Sequence, residues 1–344
     1  TDYGKTWVNI TEGIPSDEYC RVIREDPNKP GLLFAGTARG VYVSFNDGDS
    51  WQKLSLNLPV TPIRDLQVQK REKDLVIATH GRAFWVLDDI TPLYEIKDRT
   101  VKGDKYLYKP RHAYRMQGGQ SDSKSTGTNA PNGVLVSYYL KYKSNKELQL
   151  QFLNDKNDTI ITYSSLKTTK GEPMKVAKEF YQDTTIAVSD FVKNKAGMNS
   201  FTWDMRYPNV TEVVGVNIMD TGKGEGARVV PGTYTVRLIE DKILISEQSF
   251  EIRRDPRSDA SEADLKEQFD LHQKINKKVD VAHVAINQIR TIRKQINGYI
   301  ETVKDSTMAN QLKKMSKPIT DSLDKLEATL MQPKAKAEQD ILAY

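Results

Sequence analysis

Few residues in this chain combine a type and a spacing that could do chemistry, and each candidate competes with a structural reading. His80 and Arg82 flank Gly81 between two apolar stretches, and Arg39 stands at the equivalent connection earlier in the chain. An imidazole and two guanidiniums on strand connections could contact a ligand, although two or three residues on a loop are also ordinary turn geometry with surface charge. Carboxylate pairs occur at Asp88-Asp89 and Asp17-Glu18. A glycosidase needs its two carboxyls facing each other across a pocket. Adjacent acids of this kind read better as a strand exit. His272 and His283 share a helical stretch, but eleven residues is about three turns, too far for one metal ion, and no third ligand accompanies them. His112 supports no argument. Asp220 to Gly226 holds three glycines without a Gly-Lys-Ser/Thr ending, and reads as a flexible hairpin tip rather than a phosphate loop. No nucleophile elbow, zinc motif or dinucleotide fingerprint is present. The expectation is therefore no catalytic residue, no metal and no cofactor in this chain.

The elements that carry these residues begin with a turn. Ser44-Phe45-Asn46-Asp47-Gly48-Asp49-Ser50-Trp51 has an echo 44 residues earlier, in Thr1-Asp2-Tyr3-Gly4-Lys5-Thr6-Trp7. The shared positions are Asp2, Gly4, Thr6 and Trp7 in the first turn, and Ser44, Asn46, Gly48, Ser50 and Trp51 in the second. An Asp or Asn side chain can bond backbone N–H groups further on, Gly supplies positive φ, and Trp starts the next strand. Ile14-Pro15 and Leu58-Pro59 repeat at the same offset. Between them lie short strand patterns: 7–10, 19–24, 32–37, 40–45 and 51–54, then 63–68, 74–79 and 83–87. Four short strands per repeat of 40–50 residues is the rhythm of a β-propeller blade, and one blade cannot bury both faces alone. His80, Arg82 and Arg39 would then sit at the mouth of a propeller. After Leu87 no turn of this kind follows, so the last fourth strand is expected either at 93–96 or from outside this chain.

The two turns resemble Asp-boxes, the BNR repeats of sialidases, of sortilin-like (VPS10) propellers and of many bacterial envelope proteins. Ala78-Thr79-His80-Gly81-Arg82-Ala83-Phe84-Trp85-Val86-Leu87-Asp88-Asp89 is similar to the propeller end of large secreted Bacteroidota proteins carrying the label "glycosyl hydrolase" or "sortilin-like". The resemblance implies structural turns at the blade periphery, away from any active centre. A sialidase would also need an arginine cluster with a Tyr/Glu pair, which this chain does not display.

Residues 98–128 have linker composition, with a run from Gln117 to Gly127 that holds no apolar side chain. Tyr106 to Arg111 could form one docking strand within it. A second β region, 129–257, alternates over 133–140, 147–153, 159–164, 199–206, 232–239 and 244–253, which points to an antiparallel sandwich. Its phrases Asn129-Ala130-Pro131-Asn132-Gly133, Gly197 to Pro208 and Val230 to Val236 resemble a FlgD-like Ig fold. Residues 166–196 read as an unplaced insertion. From 258 the period changes to three and four. Ser261 and Asp264 form a capping box ahead of a helix of about 40 residues, roughly 60 Å long. A second helix follows over 312–330, with Pro318 a break or start, and a third pattern begins at Lys336. The fold class expected is mainly β with a C-terminal α region: the end of a β-propeller (1–97), an Ig-like sandwich, then a helical hairpin or bundle (258–344).

Composition limits the partners. Lys and Arg number 51 against 46 acidic residues, a net charge of +5, with no isolated basic block to favour nucleic acid. The single Cys20 leaves no internal disulfide or Cys-based zinc site. No run approaches 18 apolar residues, so no transmembrane helix is expected. The chain opens inside a turn motif and without Met, which reads as a piece of a longer protein. Asp-Thr/Ser phrases at Thr159, Thr184, Ser306 and Ser322 look like the O-glycosylation sequon of Bacteroidota envelope proteins, which would place the chain outside the cytoplasm. The functional expectation is a non-catalytic interaction or scaffold part of a secreted, periplasmic or cell-surface propeller protein. It would bind a protein or a polysaccharide of the envelope, within an outer-membrane assembly. Two alternatives stand beside it: the appendage of a sialidase-like glycoside hydrolase with its active site in missing blades, and a sortilin-like peptide-binding propeller.

Overall fold

The structure is a computed structural model and describes residues 3–98, 102–116, 127, 129–166, 191–213 and 224–331. The fold is mostly β sheet with a C-terminal helical region. The chain divides into two compact units, one holding the strands and the other holding residues 204–213, 224–231 and the two long helices.

Turn chemistry and β-branched runs build two small antiparallel sheets first. β1 (Cys20–Glu25), β2 (Leu33–Thr37), β3 (Val41–Ser44) and β4 (Gln52–Lys53) pair in that order. β5 (Ile63–Val68), β6 (Leu75–Thr79) and β7 (Phe84–Leu87) form a three-stranded sheet. The sheets share a core of Val22, Phe34, Val41, Ile63, Leu66 and Leu75. Gly36 permits that approach, since a Cβ there would stand 2.6 Å from Ile63 Cγ2.

The turn between β3 and β4 is held by the side chains that its sequence implies. Asn46 Oδ1 accepts from Ser50 N at 3.0 Å, and Ser44 Oγ accepts from Gly48 N at 2.9 Å. Asp47 and Gly48 take φ of 59° and 94°, which Gly and Asp tolerate better than most residues. Trp51 is 4% exposed, and its Nε1 donates to Ile10 O at 2.7 Å. The echo differs. Trp7 is 89% exposed, and residues 7–10, expected as a strand, belong to no sheet. Asp2 lies outside the described residues.

Gly13 secures the second turn from below. Its φ is 90°, and a Cβ would stand 2.1 Å from Trp51 O. Gly13→Ala is therefore expected to cost more than about 1 kcal/mol, since strain and a backbone clash coincide. A thermal melt of the variant within a degree of the parent would refute this.

A helix stands where a last strand was expected at 93–96. α1 (Thr91–Lys97) has Pro92 in its first turn, and Asp89 Oδ1 accepts from Thr91 N and Thr91 Oγ1 at 3.1 and 2.6 Å. Proline and a carboxylate at a helix start outweigh the strand preference of the apolar residues that follow. α1 is tied down by Tyr94, whose hydroxyl donates to the buried Asp26 (2.8 Å to Oδ2), and by Lys97 Nζ, which donates to Phe45 O at 2.9 Å. β7 is thus left as an edge strand carrying the exposed side chains Phe84 and Val86.

The segment read as linker supplies two strands, β8 (Lys105–Leu107) and β9 (Ala113–Arg115). With β10 (Val134–Leu140), β11 (Leu148–Leu153), β12 (Thr159–Ser164), β13 (Gly197–Trp203), β14 (Gly232–Glu240) and β15 (Ile243–Arg254) they make two sheets, ordered β13-β10-β8 and β12-β11-β14-β15-β9. Strict alternation on β10 buries Val134, Val136, Tyr138 and Leu140. Trp203 on the first sheet stacks on Phe152 of the second at 4.5 Å between ring centroids, so aromatic rings fill the space between sheets. Glu240 at the end of β14 is clasped by Lys105 of β8 and by Ser144 Oγ at 2.5 Å. Residues 167–190, most of the unplaced insertion, lie outside the described residues.

In the helical unit, α2 (Glu262–Thr302) starts at the predicted capping box: Ser261 Oγ accepts from Asp264 N, and Asp264 Oδ2 accepts from Ser261 N at 2.8 Å. α3 (Ser306–Leu330) runs through Pro318 without breaking. The ring removes only the bond to the carbonyl of Lys314, and the turn on either side survives. One face of α2 grips the extended segment 207–212. Thr211 N donates to Asp280 Oδ1 at 2.7 Å, His283 Nδ1 donates to Thr211 O at 2.6 Å, and Asn287 Nδ2 donates to Glu212 O at 2.8 Å. Residues at spacings of three and four share a helix face, which is why these three can act together. The pattern at 336–344 falls outside the described residues.

Candidate functional site

The loop residues singled out by sequence are not brought together into a pocket. Arg39 sits on the β2–β3 connection, where Nη1 donates to Asp17 Oδ2 at 2.7 Å in an exposed ion pair. His80 and Arg82 occupy the β6–β7 connection. His80 Nδ1 accepts from Arg64 Nη2 at 3.0 Å, and Arg82 N donates to Thr79 Oγ1 at 3.1 Å. Thr37 and Thr79 shape the two connections alike, each hydroxyl accepting from a backbone N–H two or three residues on. The carboxylate pairs serve the fold. Glu18 accepts from Thr37 Oγ1 and Tyr42 OH, and Asp89 accepts from Thr91 at the start of α1. Asp88 is half-buried, which pushes its carboxyl above the ordinary range, and Asp74 nearby adds to the shift. Among the described residues no group of three His, Cys, Asp or Glu could hold a metal ion, and no helix is long and apolar enough to cross a membrane. Thr159, Ser306 and Ser322 are exposed, and Thr184 lies outside the described residues.

A cleft of about 580 Å³ lies elsewhere, walled by α1, by residues 109–112 and by the outer face of β14 and β15. Each wall follows from local sequence. On β15, alternation buries Phe250 and Ile252 and turns Ser249, Glu251 and Arg253 outward. Thr233 is paired with Glu251 across the ladder and joins that face. On α1, Glu95 fixes the opposite wall: its carboxylate accepts from Tyr106 OH at 2.7 Å and from Lys109 N at 2.9 Å. Arg111 is anchored by Asp74 Oδ1 at 2.9 Å and by the Glu72 carbonyl.

Electrostatically the cleft carries four lysines and arginines against two glutamates. Arg111 is neutralised by Asp74 and Arg253 by Glu251 (2.8 Å). Lys73 enters from the β5–β6 connection, its Nζ 5.6 Å from the centroid of the Tyr94 ring, and Lys109 reaches in from the other side. His112 closes the floor. Burial and the neighbouring Arg253 hold its imidazole below the ordinary histidine range, so it is neutral at pH 7. Its Nε2 is buried, 3.9 Å from Glu72 Oε2 and without a hydrogen bond among the described residues. Such a site can bind and orient a polar anion. Sequence reasoning missed it because its residues come from four separate segments. The only local hint was Lys109-Pro110-Arg111-His112, a basic cluster inside a presumed linker.

No protein-family model matches the chain, and no curated protein matches it. A solved structure similar to it is the extracellular domain of a putative hybrid two-component system from B. thetaiotaomicron, with 9% identity, a TM-score of 0.18 and coverage of 71% of this chain and 26% of that one. The chain spans about a quarter of that neighbour's length.

Proposed function

We propose that this chain is a non-catalytic interaction and scaffold part of a secreted or cell-surface protein, built from the end of a BNR-type propeller, an Ig-like sandwich and a helical hairpin. It binds a protein or polysaccharide of the cell envelope. The observation that carries this reading is the face of α3 left uncovered among the described residues. Met308, Leu312, Met315, Ile319, Leu326 and Leu330 recur at helical spacing and are all exposed, Met315 at 75%. A contiguous apolar stripe of this kind marks an association surface. The four-strand and three-strand sheets, in the same strand order, support the propeller assignment. The exposed Thr159, Ser306 and Ser322 support modification outside the cytoplasm. The open edge of β7 favours a second reading, in which a peptide adds as a further strand beside Phe84 and Val86.

The test is a photo-crosslinking residue at Met315 of the full-length protein in the cells that make it. One discrete adduct, lost in Ile319→Lys, is expected. An absence of adducts at Met315 and Leu326 would overturn the α3 assignment, and hydrolysis of an envelope glycan by purified full-length protein would overturn the non-catalytic reading.

A further inference from the structure

We infer that the cleft between α1, residues 109–112 and the β14–β15 face binds an acidic saccharide unit, a hydroxyl-rich ring carrying a carboxylate. The inference rests on the binding-segment reading above and names a ligand class for it. Its volume of about 580 Å³ suits one or two sugar rings and lies within the usual range of small-ligand sites, about 300–1,000 Å³. The anionic requirement comes from the two lysines. Arg111 and Arg253 already hold carboxylates, whereas Lys73 and Lys109 have no ion-pair partner among the described residues. A ligand carboxylate in the cleft could pair with either lysine without displacing an ion-pair partner from it.

The requirement for hydroxyls comes from the other walls. Glu95 and Glu251 present carboxylate oxygens, and Thr233 and Ser249 present hydroxyls, along the β15 side and the α1 side of the same space. These groups suit ring hydroxyls, which donate and accept. An acidic peptide offers carboxylates but few hydroxyl donors for the carboxylate oxygens of Glu95 and Glu251. Tyr94, half-buried beside Lys73, adds an apolar wall for the C–H face of a ring.

Calorimetric titration of the 344-residue chain tests this, with a galacturonate trimer, its methyl ester and a short polyglutamate as probes. The trimer is expected to bind, at least tenfold more tightly than the ester or polyglutamate, and to weaken as salt rises. Lys73→Gln with Lys109→Gln is expected to lose at least tenfold. Glutamine suits position 73, where φ is 58°, because like lysine it is unbranched at Cβ and adds no further strain there. Lys277→Gln on α2 should change nothing, and matched thermal melts would show that the double variant folds. Equal binding of ester and acid, equal binding of polyglutamate, or no trimer binding at millimolar concentration would each overturn the cleft assignment. Unaltered trimer binding by the double variant would place saccharide recognition elsewhere, overturning the cleft while leaving the interaction reading to the Met315 adduct.

Discussion

Trp203→Ala is expected to remove about 3–5 kcal/mol from the strand-bearing unit, the usual cost of emptying a large aromatic site in a core. Trp203 is fully buried, stacks on Phe152 and meets Tyr234 and Phe250 edge-on at centroid distances of 6.0 and 6.3 Å. Those contacts join the β13-β10-β8 sheet to the five-stranded one, beside Phe201, which packs on Phe152 and Tyr163 in the same aromatic layer. Phenylalanine should recover most of the loss, because it keeps a ring opposite Phe152. Urea unfolding followed by near-ultraviolet dichroism checks this. A shift below about 1 kcal/mol would mean that the sheets are held by something other than the aromatic layer.

The second large effect is expected at Glu327, the ionic clasp of the helical unit. Its side chain is 5% exposed and accepts from Arg290 Nε and Arg293 Nη2, both at 2.8 Å. Glu327→Ala would take the shared carboxylate from Arg290 and Arg293, both on α2, although Arg293 keeps Asp324 of α3 at 2.6 Å. A fully buried pair broken this way costs about 3–5 kcal/mol, and the partly exposed arginines reduce the expectation to about 2–3 kcal/mol. Burial alone would raise the Glu327 carboxyl. The hydrogen bonds and charges of the two arginines outweigh burial and hold it below the ordinary value. A group with a lowered folded pKa contributes stability that is complete above its unfolded value, about 4.3, and is lost as pH falls through the folded one. Helical dichroism between pH 6 and 2 should therefore show acid loosening in the parent and a flatter profile in Glu327→Ala. An acid transition unchanged by the variant would refute the clasp.

Much of the fold could be read from periodicity. The strands 63–68 and 159–164 and the start of the long helix stand where alternation and capping put them. These features are local, and local patterns survive because burial of one face reinforces them. The failures have a shared cause in competition between a local preference and its surroundings. Leu93 to Ile96 has strand-like composition, yet Pro92 and the Asp89 carboxylate start a helix there. The docking strand expected at 106–111 pairs only over 105–107, and residues 113–115 look like linker but complete a sheet edge, because strand pairing is supplied by partners distant in sequence, β10 and β15. Residues 7–10 carry the pattern of a strand but pair with no strand among the described residues. The cleft was the least legible feature. Lys73, Tyr94, Lys109 and Arg253 meet only after both sheet systems and α1 have formed, and no spacing in the sequence encodes that meeting.

The unequal cover of the two turn tryptophans has an optical consequence. Trp51 and Trp203, shut inside apolar surroundings, should emit at shorter wavelength and stay dark to iodide, while Trp7 meets the quencher freely. Fluorescence from the unmodified chain therefore contains a component that belongs to its first turn. Anything that settles on that turn should remove Trp7's share of the quenchable signal and leave the smaller share of the half-buried Trp85, so occupancy there can be followed without a label.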